Sequence, residues 1–284
     1  MTTPSTPAPA SYQQHQQQPH PGVPGYVSPV PLRRATLLDA LASEWTKIRS
    51  VRSTIWTLGV MVVLVVGFGA LIALALRSVD LPEGESPVSL GFVGVLLGII
   101  PVITLGVMTI ASEYGTGMIR TTLTACPSRA RVLAAKAIVF FLLTFVITLV
   151  ATALVSAAIT GILGGSTAGS VWLGATVGVS AYVALLGLLA LGVGSLIRHS
   201  AGAITIMIGV VLLPLVMALF MMSEGLRDVQ QFLLEYSIPS QLAIFYGTPM
   251  GDDGPTGWES LGLMGALVAV VLGLAFFVQH KRDV

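Results

Sequence analysis

Residues Ala137–Ile197 read AIVFFLLTFVITLVATALVSAAITGILGGSTAGSVWLGATVGVSAYVALLGLLALGVGSLI and contain no charged side chain. A helix needs about 20 apolar residues to cross the hydrocarbon core of a bilayer. The stretch is long enough for two such crossings. The run GGSTAGS at 164–170 divides it, because glycine and serine favour turns. The stretch therefore predicts two membrane helices joined by a turn.

The rest of the chain repeats this pattern. Four further stretches lack charge and are long enough to span a membrane: Ser53–Leu76, Ser86–Ser112, His199–Ser223 and Ser260–His280. Membrane barrel strands would alternate apolar and polar residues, and these runs do not. Only 10% of the residues are charged, against about a quarter in soluble proteins. We predict an all-α polytopic membrane protein with spans near 54–76, 88–112, 137–162, 171–197, 201–222 and 260–279.

Basic residues are distributed unevenly between the two sides of these spans. With the N-terminus in the cytoplasm, only Arg77 and Arg227 of the 14 Lys and Arg residues fall outside. Cytoplasmic loops are enriched in Lys and Arg, so both termini of this multi-pass protein are predicted to lie on the cytoplasmic side of the cell membrane. By the same bounds, no Asp, Glu, Lys or Arg is expected inside a span. The single cysteine, Cys126, excludes an intramolecular disulfide.

Three segments follow from composition. Residues 1–35 are rich in Pro and Gln and are predicted to be a disordered cytoplasmic tail, because they cannot bury enough apolar surface to offset the entropy of ordering. Residues 36–52 are predicted to form an amphipathic helix. Residues 53–284 would form the six-helix membrane domain.

The helix at 36–52 has a sequence signal at its start and an apolar stripe along its length. Thr36 and Asp39 form a capping box with Asp in place of the usual Glu. Trp and basic residues beside an apolar stripe are typical of a helix lying in the membrane interface. Alternatively, the basic residues serve only to orient the first span. On the polar face Glu44 and Lys47 can pair at i,i+3. The predicted interfacial residues are Leu41, Glu44, Trp45, Lys47 and Arg49.

The segment Glu113–Lys136 is the longest predicted cytoplasmic connection. Met118–Thr124 is long enough for one or two helical turns, which would end before Pro127 because the residue preceding a proline disfavours the helical region. Ser128 is placed to cap the next helix. The segment therefore predicts a short helix presented to the cytoplasm, with a structureless connector as the alternative.

The segment Ser223–Glu259 is the largest loop on the opposite, outer side. Apolar residues at i, i+3, i+4 and i+7 from Val229 to Tyr236 indicate a helix. Pro239 is predicted to break it, and the residues after it are apolar again. We predict two short outer-face helices that dip into the outer leaflet.

Polar and small residues recur every four positions within the spans. In the third span, the hydroxyl residues form one slowly winding ridge at 3.6 residues per turn. This ridge either packs against another helix or lines a substrate path. Glycines at the same spacing predict close helix contacts at Gly94/Gly98, Gly161/Gly165 and Gly174/Gly178. The candidate pathway residues of the ridge are Thr144, Thr148, Thr152 and Ser156.

Two cytoplasmic motifs resemble those of the ABC type-2 exporter-like permeases. They read EWTKIRSVRST at 44–54 and EYGTGMIRTTL at 113–123, and the second is followed by Pro127, Arg129 and Lys136. The resemblance covers about residues 36–284, including the six-span layout and the YSIPS run at 236–240. It implies a permease subunit of an ATP-driven transporter, an exporter, working with a second permease subunit in the lipid bilayer.

The resemblance also implies how the chain is powered. The sequence has no phosphate-binding loop of the Gly-x-x-x-x-Gly-Lys type, so a separate ABC ATP-binding subunit would bind ATP and Mg²⁺. We expect no cofactor, metal site or catalytic residue in this chain, and no nucleic-acid partner. In the family, the N-terminal helix and the first cytoplasmic loop dock on the ATPase. The implied coupling residues are Glu113, Gly117, Met118, Ile119, Arg120, Thr121, Thr122 and Leu123.

Two other classes of protein are compatible with the same spans. One is a membrane-embedded enzyme acting on lipids, and the other is an accessory membrane protein without transport activity. The enzyme would need a polar catalytic cluster at the interface, where only Glu113, Arg120 and His199 are available. A neighbouring reading frame encoding an ATPase would favour the permease.

Overall fold

The computed structural model describes residues 36–79, 85–126, 128–221, 223–250 and 254–281. Within these residues all regular structure is helical. The predicted disordered tail, residues 1–35, lies outside the described residues. The described part of the chain thus confirms the all-α fold class.

The helices follow one another with short connections. The N-terminal helix α1, Leu37–Ser50, precedes the first span α2, Arg52–Ala75, and the second span runs over Pro87–Thr116 with its α-helical part α3 at Gly91–Thr116. Then come α4, Met118–Ala125, and the third span α5, Arg129–Leu163. The fourth span, Gly169–Ile197, comprises α6, Gly169–Leu173, a π-helical turn, Gly174–Gly178, and α7, Val179–Ile197. The remaining helices are α8, Ser200–Phe220; α9, Arg227–Tyr236; α10, Ile238–Ile244; and α11, Gly257–Lys281.

Six of these helical segments are long and apolar enough to cross a membrane, as predicted. The bounds differ mainly at the end of the second span and the start of the third. There α3 continues to Thr116 and α5 begins at Arg129, so Glu113 and Lys136 lie inside helices, beyond the charge-free stretches from which the spans were predicted. The expectation that no charged residue lies inside the membrane stays a prediction. The charges of Glu113 and Lys136 pair with one another, as shown below.

The fourth span is the centre of the bundle. It is the most buried of the six, and α7 packs against α3, α5, α8 and α11. The spans α8 and α11 are the least buried and lie at the periphery. A helix that is apolar all round is suited either to burial or to contact with lipid. The apolar composition of the six spans is therefore compatible with either position.

Glycines allow the closest helix contacts. A Cβ atom at Gly94 of α3 would lie 2.5 Å from the backbone oxygen of Val65 in α2, and one at Gly174 would lie 2.6 Å from the backbone oxygen of Phe245. Gly98 and Gly178 likewise leave no room for a Cβ atom beside Val65 and Phe245. Two of the three predicted glycine pairs are therefore confirmed. The third is wrong, because a Cβ atom at Gly161 would meet nothing within 4 Å.

The outer connection contains α9 and α10. The break between them lies at Ser237, whose hydroxyl accepts a hydrogen bond from the Ser240 amide at 3.2 Å. Pro239, which was expected to end the first helix, instead sits in the first turn of α10, where its missing N–H costs nothing. The residues of α10 are buried against neighbouring helices, whereas Phe232 of α9 is exposed. Contact of this region with the outer leaflet stays a prediction.

Candidate functional site

The N-terminal helix α1 begins at the predicted capping box. The Asp39 amide donates to the Thr36 hydroxyl at 3.3 Å, and the Thr36 amide donates to an Asp39 carboxylate oxygen at 2.8 Å. The helix turns Glu44 and Lys47 toward the bundle, beside the buried Ala40. Glu44 is 4% exposed, whereas Trp45 is 45% exposed and Leu38 is 75% exposed. This is the reverse of an amphipathic helix on a soluble protein, so the bundle must supply polar partners.

Those partners form an ionic cluster of four side chains: Glu44 and Lys47 of α1, Glu113 of α3 and Lys136 of α5. Lys136 Nζ lies 2.8 Å from Glu44 Oε2 and 2.7 Å from Glu113 Oε1. Lys47 Nζ lies 2.8 Å from Glu44 Oε1 and 3.0 Å from Glu113 Oε1. Each ammonium group therefore contacts both carboxylates. The pairing of Glu44 with Lys47, predicted from sequence, is confirmed.

The ionic cluster is buried and electrically balanced. The Lys136 side chain is 1% exposed, and those of Glu44 and Glu113 are 6% and 8% exposed. A buried charge is costly unless it is paired and hydrogen-bonded, and two positive and two negative groups cancel here. Burial lowers the pKa of Lys47, but the hydrogen bonds and charges of Glu44 and Glu113 raise it more, so its pKa lies above the ordinary value.

The short helix α4 is joined to α3 through Gly117. This residue has φ 73°, a left-handed conformation that glycine adopts at little cost. The turn lets α4 begin at once after α3, and α4 ends at Ala125, before Pro127 as predicted. Ser128 then caps α5 by accepting from the Arg131 amide at 3.4 Å. The short-helix interpretation of this segment is confirmed over the structureless one.

The helix α4 has one anchored face and one exposed face. Ile119 is 6% exposed and Leu123 is half-buried, so these two residues hold α4 on the bundle. Thr122 accepts a hydrogen bond from Lys47 Nζ at 3.5 Å, which joins α4 to the ionic cluster. The opposite face presents Met118, Arg120 and Thr121 to the surroundings.

A second polar group, which the sequence did not predict, lies beside the anchored face of α4. The Arg198 guanidinium lies over the Tyr114 ring, 4.8 Å from its centre. Gln279 donates to the Tyr114 hydroxyl at 3.3 Å and to the Ser195 hydroxyl at 2.9 Å. Arg129 donates to the Gln279 backbone oxygen at 2.6 Å. These contacts join the ends of α3, α5, α7 and α11 that lie on the same side of the bundle as α4.

The hydroxyl ridge of α5 is enclosed by the bundle. All four candidate pathway residues are at most 1% exposed. Thr152 bonds to the Thr148 backbone oxygen at 2.9 Å and lies 3.3 Å from the Ser180 hydroxyl. Thr148 lies 3.9 Å from the Met61 sulfur. The Thr144 hydroxyl has no hydrogen-bond partner. This geometry agrees with the packing alternative, and a role in a substrate path stays a prediction.

The three polar residues considered for an enzyme have other positions. Glu113 is held in the ionic cluster, and Arg120 is exposed on α4. The His199 ring nitrogen Nδ1 accepts from the Gly202 amide at 3.1 Å and so caps α8. Within the described ranges, no three His, Cys, Asp or Glu side chains gather as metal ligands would. Nothing in this arrangement favours the enzyme alternative.

Sequence reasoning predicted the short helix that carries Met118–Leu123 of the candidate coupling residues, but it missed how Glu44 is used. The resemblance implied that the N-terminal helix, which carries Glu44 and Lys47, docks on the ATPase. Instead Glu44 points into the bundle, and Lys47 bonds to Glu44, Glu113 and Thr122. A signal was present for Glu113, which directly follows the predicted span 88–112, where an unpaired charge is costly. Arg49 remains exposed.

Comparison with known proteins agrees with these features. No curated protein matches the chain. The profile described as "ABC-2 family transporter protein" matches residues 11–284, which includes every helix described above. Its members are transport proteins of the membrane, and the six apolar spans of this chain agree with a membrane location. The chain therefore belongs to the ABC-2 family of transporter membrane proteins.

Proposed function

We propose that this chain is the permease subunit of an ATP-driven exporter, and that a separate ATP-binding subunit moves it through α4. Family membership supports a transporter, and the exposed helix α4 supports the coupling. A permease without an ATPase of its own needs a rigid cytoplasmic element to which a partner can bind. The partner would bind ATP and Mg²⁺, and this chain would bind neither.

The observation that carries the proposal is the way α4 is attached. Gly117 joins α4 directly to α3, and Lys47 bonds to both Thr122 of α4 and Glu113 of α3. Lys136 extends the same network to α5. A force applied to α4 therefore reaches the cytoplasmic ends of three other helices, α1, α3 and α5, because packed interiors transmit displacement and yield little.

The coupling residues divide into three roles. Met118, Arg120 and Thr121 are exposed and would contact the ATP-binding subunit. Ile119 and Leu123 would hold α4 on the bundle. Glu113, Gly117 and Thr122 would transmit its movement. On α1, Glu44 and Lys47 are engaged in the ionic cluster, and the exposed Arg49 would frame the same contact.

The membrane arrangement follows from charge and exposure. Both termini would be cytoplasmic, and α1 would lie in the interface with Leu38 and Trp45 toward lipid. Large apolar side chains are exposed along α2, α8 and α11, and these faces would contact lipid or a second permease subunit. The hydroxyl ridge of α5 would serve packing within one subunit, since its residues are already enclosed by α2 and α7.

Affinity purification of the full-length chain from its own membranes tests the proposal. A tag at the C-terminus avoids α1 and α4. We expect an ATPase with phosphate-binding loops to co-purify, and the reconstituted complex to move a substrate only with ATP. Recovery of the chain alone under mild conditions, with a functional assay that needs no ATPase, would contradict the proposal.

A further inference from the structure

The side of α5 away from the hydroxyl ridge is a continuous apolar row. It comprises Ile138, Leu142, Val146, Val150 and Leu154, which are 40–55% exposed. Each member from Leu142 to Leu154 lies two positions from a ridge residue, and two positions are about 200° around a helix of 3.6 residues per turn. The ridge faces the bundle, so this row faces the hydrocarbon of the bilayer.

At its cytoplasmic end, this row forms one wall of a groove. The other wall is α1, which contributes Leu41, Ala42 and Trp45, while α5 contributes five apolar residues between 138 and 146. The groove has a volume of about 510 Å³, within the range of about 300–1,000 Å³ typical of ligand sites. Its lining side chains are aliphatic apart from Trp45, whose indole N–H is their one polar group.

The groove exists because α1 is held on one side only. Glu44 and Lys47 hold one face of α1 in the ionic cluster. The face that carries Ala42 and Trp45 is rotated from that face by more than a third of a turn about the helix axis. Nothing in the described part of the chain packs between that second face and α5. An apolar space next to lipid loses dispersion contacts unless an apolar group enters it.

We propose that one acyl chain of a cytoplasmic-leaflet phospholipid occupies this groove and is retained there as part of the subunit. The groove is continuous with the lipid-facing row of α5, it runs along two turns of that helix, and its walls offer no polar group besides the Trp45 indole N–H. An extended hydrocarbon chain meets these conditions. The proposal rests on the membrane position of α5 and does not depend on the ATP-binding partner.

The acyl chain would complete the packing of α1. The ionic cluster fixes one edge of the helix, and the lipid would fix the other. Removing the lipid should therefore loosen α1 while leaving the six spans intact. Since Lys47 of α1 also bonds to Thr122 of α4, the lipid would steady the helix that we propose as the coupling element.

Trp45 supplies the reporter for a direct test. Trp56, Trp172 and Trp258 are replaced by Phe, and the protein is reconstituted in vesicles of phosphatidylcholine brominated on the acyl chain. Bromine quenches tryptophan fluorescence on contact. The protein is then washed extensively in a detergent that contains no bromine. We expect Trp45 to stay quenched and native mass spectrometry to show one retained phospholipid per chain.

Two controls separate a bound lipid from ordinary bilayer contact. A chain that keeps only Trp258, which is 55% exposed on α11, should recover its fluorescence on washing. The variant A42F fills the groove, and it should abolish retained quenching of Trp45 and the bound phospholipid. The variant V150F, on the same row but outside the groove, should abolish neither.

Several results would overturn the proposal. Full recovery of Trp45 fluorescence on washing would show that only bulk lipid touches the groove. If A42F and the parent chain retain the same amount of phospholipid, the lipid is bound at another place. If A42F does not fold, L142F takes its place in the same comparison. A second copy of the chain in the groove would appear as lipid-free dimers with unquenched Trp45.

Discussion

Lys136 Nζ lies 2.7 Å from Glu113 Oε1 in a site where both side chains are less than a tenth exposed. The same ammonium group also bonds to Glu44 at 2.8 Å, so one lysine joins three helices. Charges inside a membrane protein are costly and mark functional positions. In a chain with few charged residues, four of them meet at one point and join α1, α3 and α5.

The variant K136M should strongly destabilise the cytoplasmic end of the bundle. It leaves Glu44 and Glu113 with only Lys47 as a partner, and removing one member of a buried ion pair costs about 3–5 kcal/mol. Denaturant titration in detergent micelles measures the change in the free energy of unfolding. The matched control K281M, at an exposed lysine, should change it by no more than about 0.5 kcal/mol. Equal effects of the two variants would contradict the structural importance of the ionic cluster.

Alkaline pH should weaken the contact between α1 and the bundle through Lys47. The pKa of Lys47 is raised above its ordinary value by Glu44 and Glu113, which outweigh burial. Its contribution to stability is then fully present below the unfolded pKa of about 10.4 and is lost as pH rises through the higher folded pKa. The melting temperature should therefore fall steeply in this range.

The variant K47R is the control for the alkaline experiment. A guanidinium group stays protonated well beyond the range in which lysine titrates. The part of the alkaline loss of stability that is due to residue 47 should therefore disappear. Melting temperatures of both proteins are compared from neutral to strongly alkaline pH. If the melting temperatures of both proteins fell in parallel as pH rises, Lys47 would not be the group that causes the alkaline loss of stability.

The hydroxyl ridge should respond to substitution as a packing surface. T152V keeps the shape but loses the bonds to Thr148 and Ser180, which should cost about 0.5–1.5 kcal/mol. T144V removes a buried hydroxyl without a partner, so it should be neutral or stabilising. Unfolding titrations measure both changes, and transport should be unaltered in both. A changed substrate preference in either variant would instead support a role in the substrate path.

Membrane topology is testable with single cysteines after replacement of Cys126. Cysteine at Glu85 or Thr256, both exposed on the proposed outer side, should be labelled by an impermeant thiol reagent in intact cells. Cysteine at Ala130, exposed on the proposed cytoplasmic side, should be labelled only after the cells are opened. The reverse pattern would invert the topology.

Much of the fold could be predicted because the membrane imposes simple local rules. Span positions follow from the lengths of charge-free runs, and the turn at 164–170 follows from its glycines. The caps at Thr36 and Ser128 are short-range signals as well. Each of these features depends on residues within one continuous stretch of sequence, which is why the sequence was sufficient to predict them.

The candidate site was less predictable because it depends on contacts between distant segments. Glu44 and Lys136 are 92 positions apart and bond at 2.8 Å, which no local pattern encodes. The group around Tyr114, Arg198 and Gln279 is likewise assembled from the ends of separate helices. Helical spacing placed Glu44 on a polar face, but only the packing of α1 on α5 shows that this face turns inward.

In the proposed mechanism, α4 couples this permease to an ATP-binding subunit. The variant R120E reverses a charge on the exposed face of α4 while leaving Ile119 and Leu123 to hold the helix in place. Truncating one partner of a charged contact at an interface can cost about 2–5 kcal/mol when the contact is buried. R120K retains the charge, and R52E reverses an exposed cytoplasmic charge outside α4.

The most direct measurement is the yield of ATP-binding subunit that co-purifies with each variant, together with the ratio of substrate transported to ATP hydrolysed. R120E should lower the yield or the ratio, while R120K and R52E should match the parent chain. All variants should insert with the same cysteine labelling. Normal co-purification and normal coupled transport in R120E would contradict the assignment of α4 as the coupling helix.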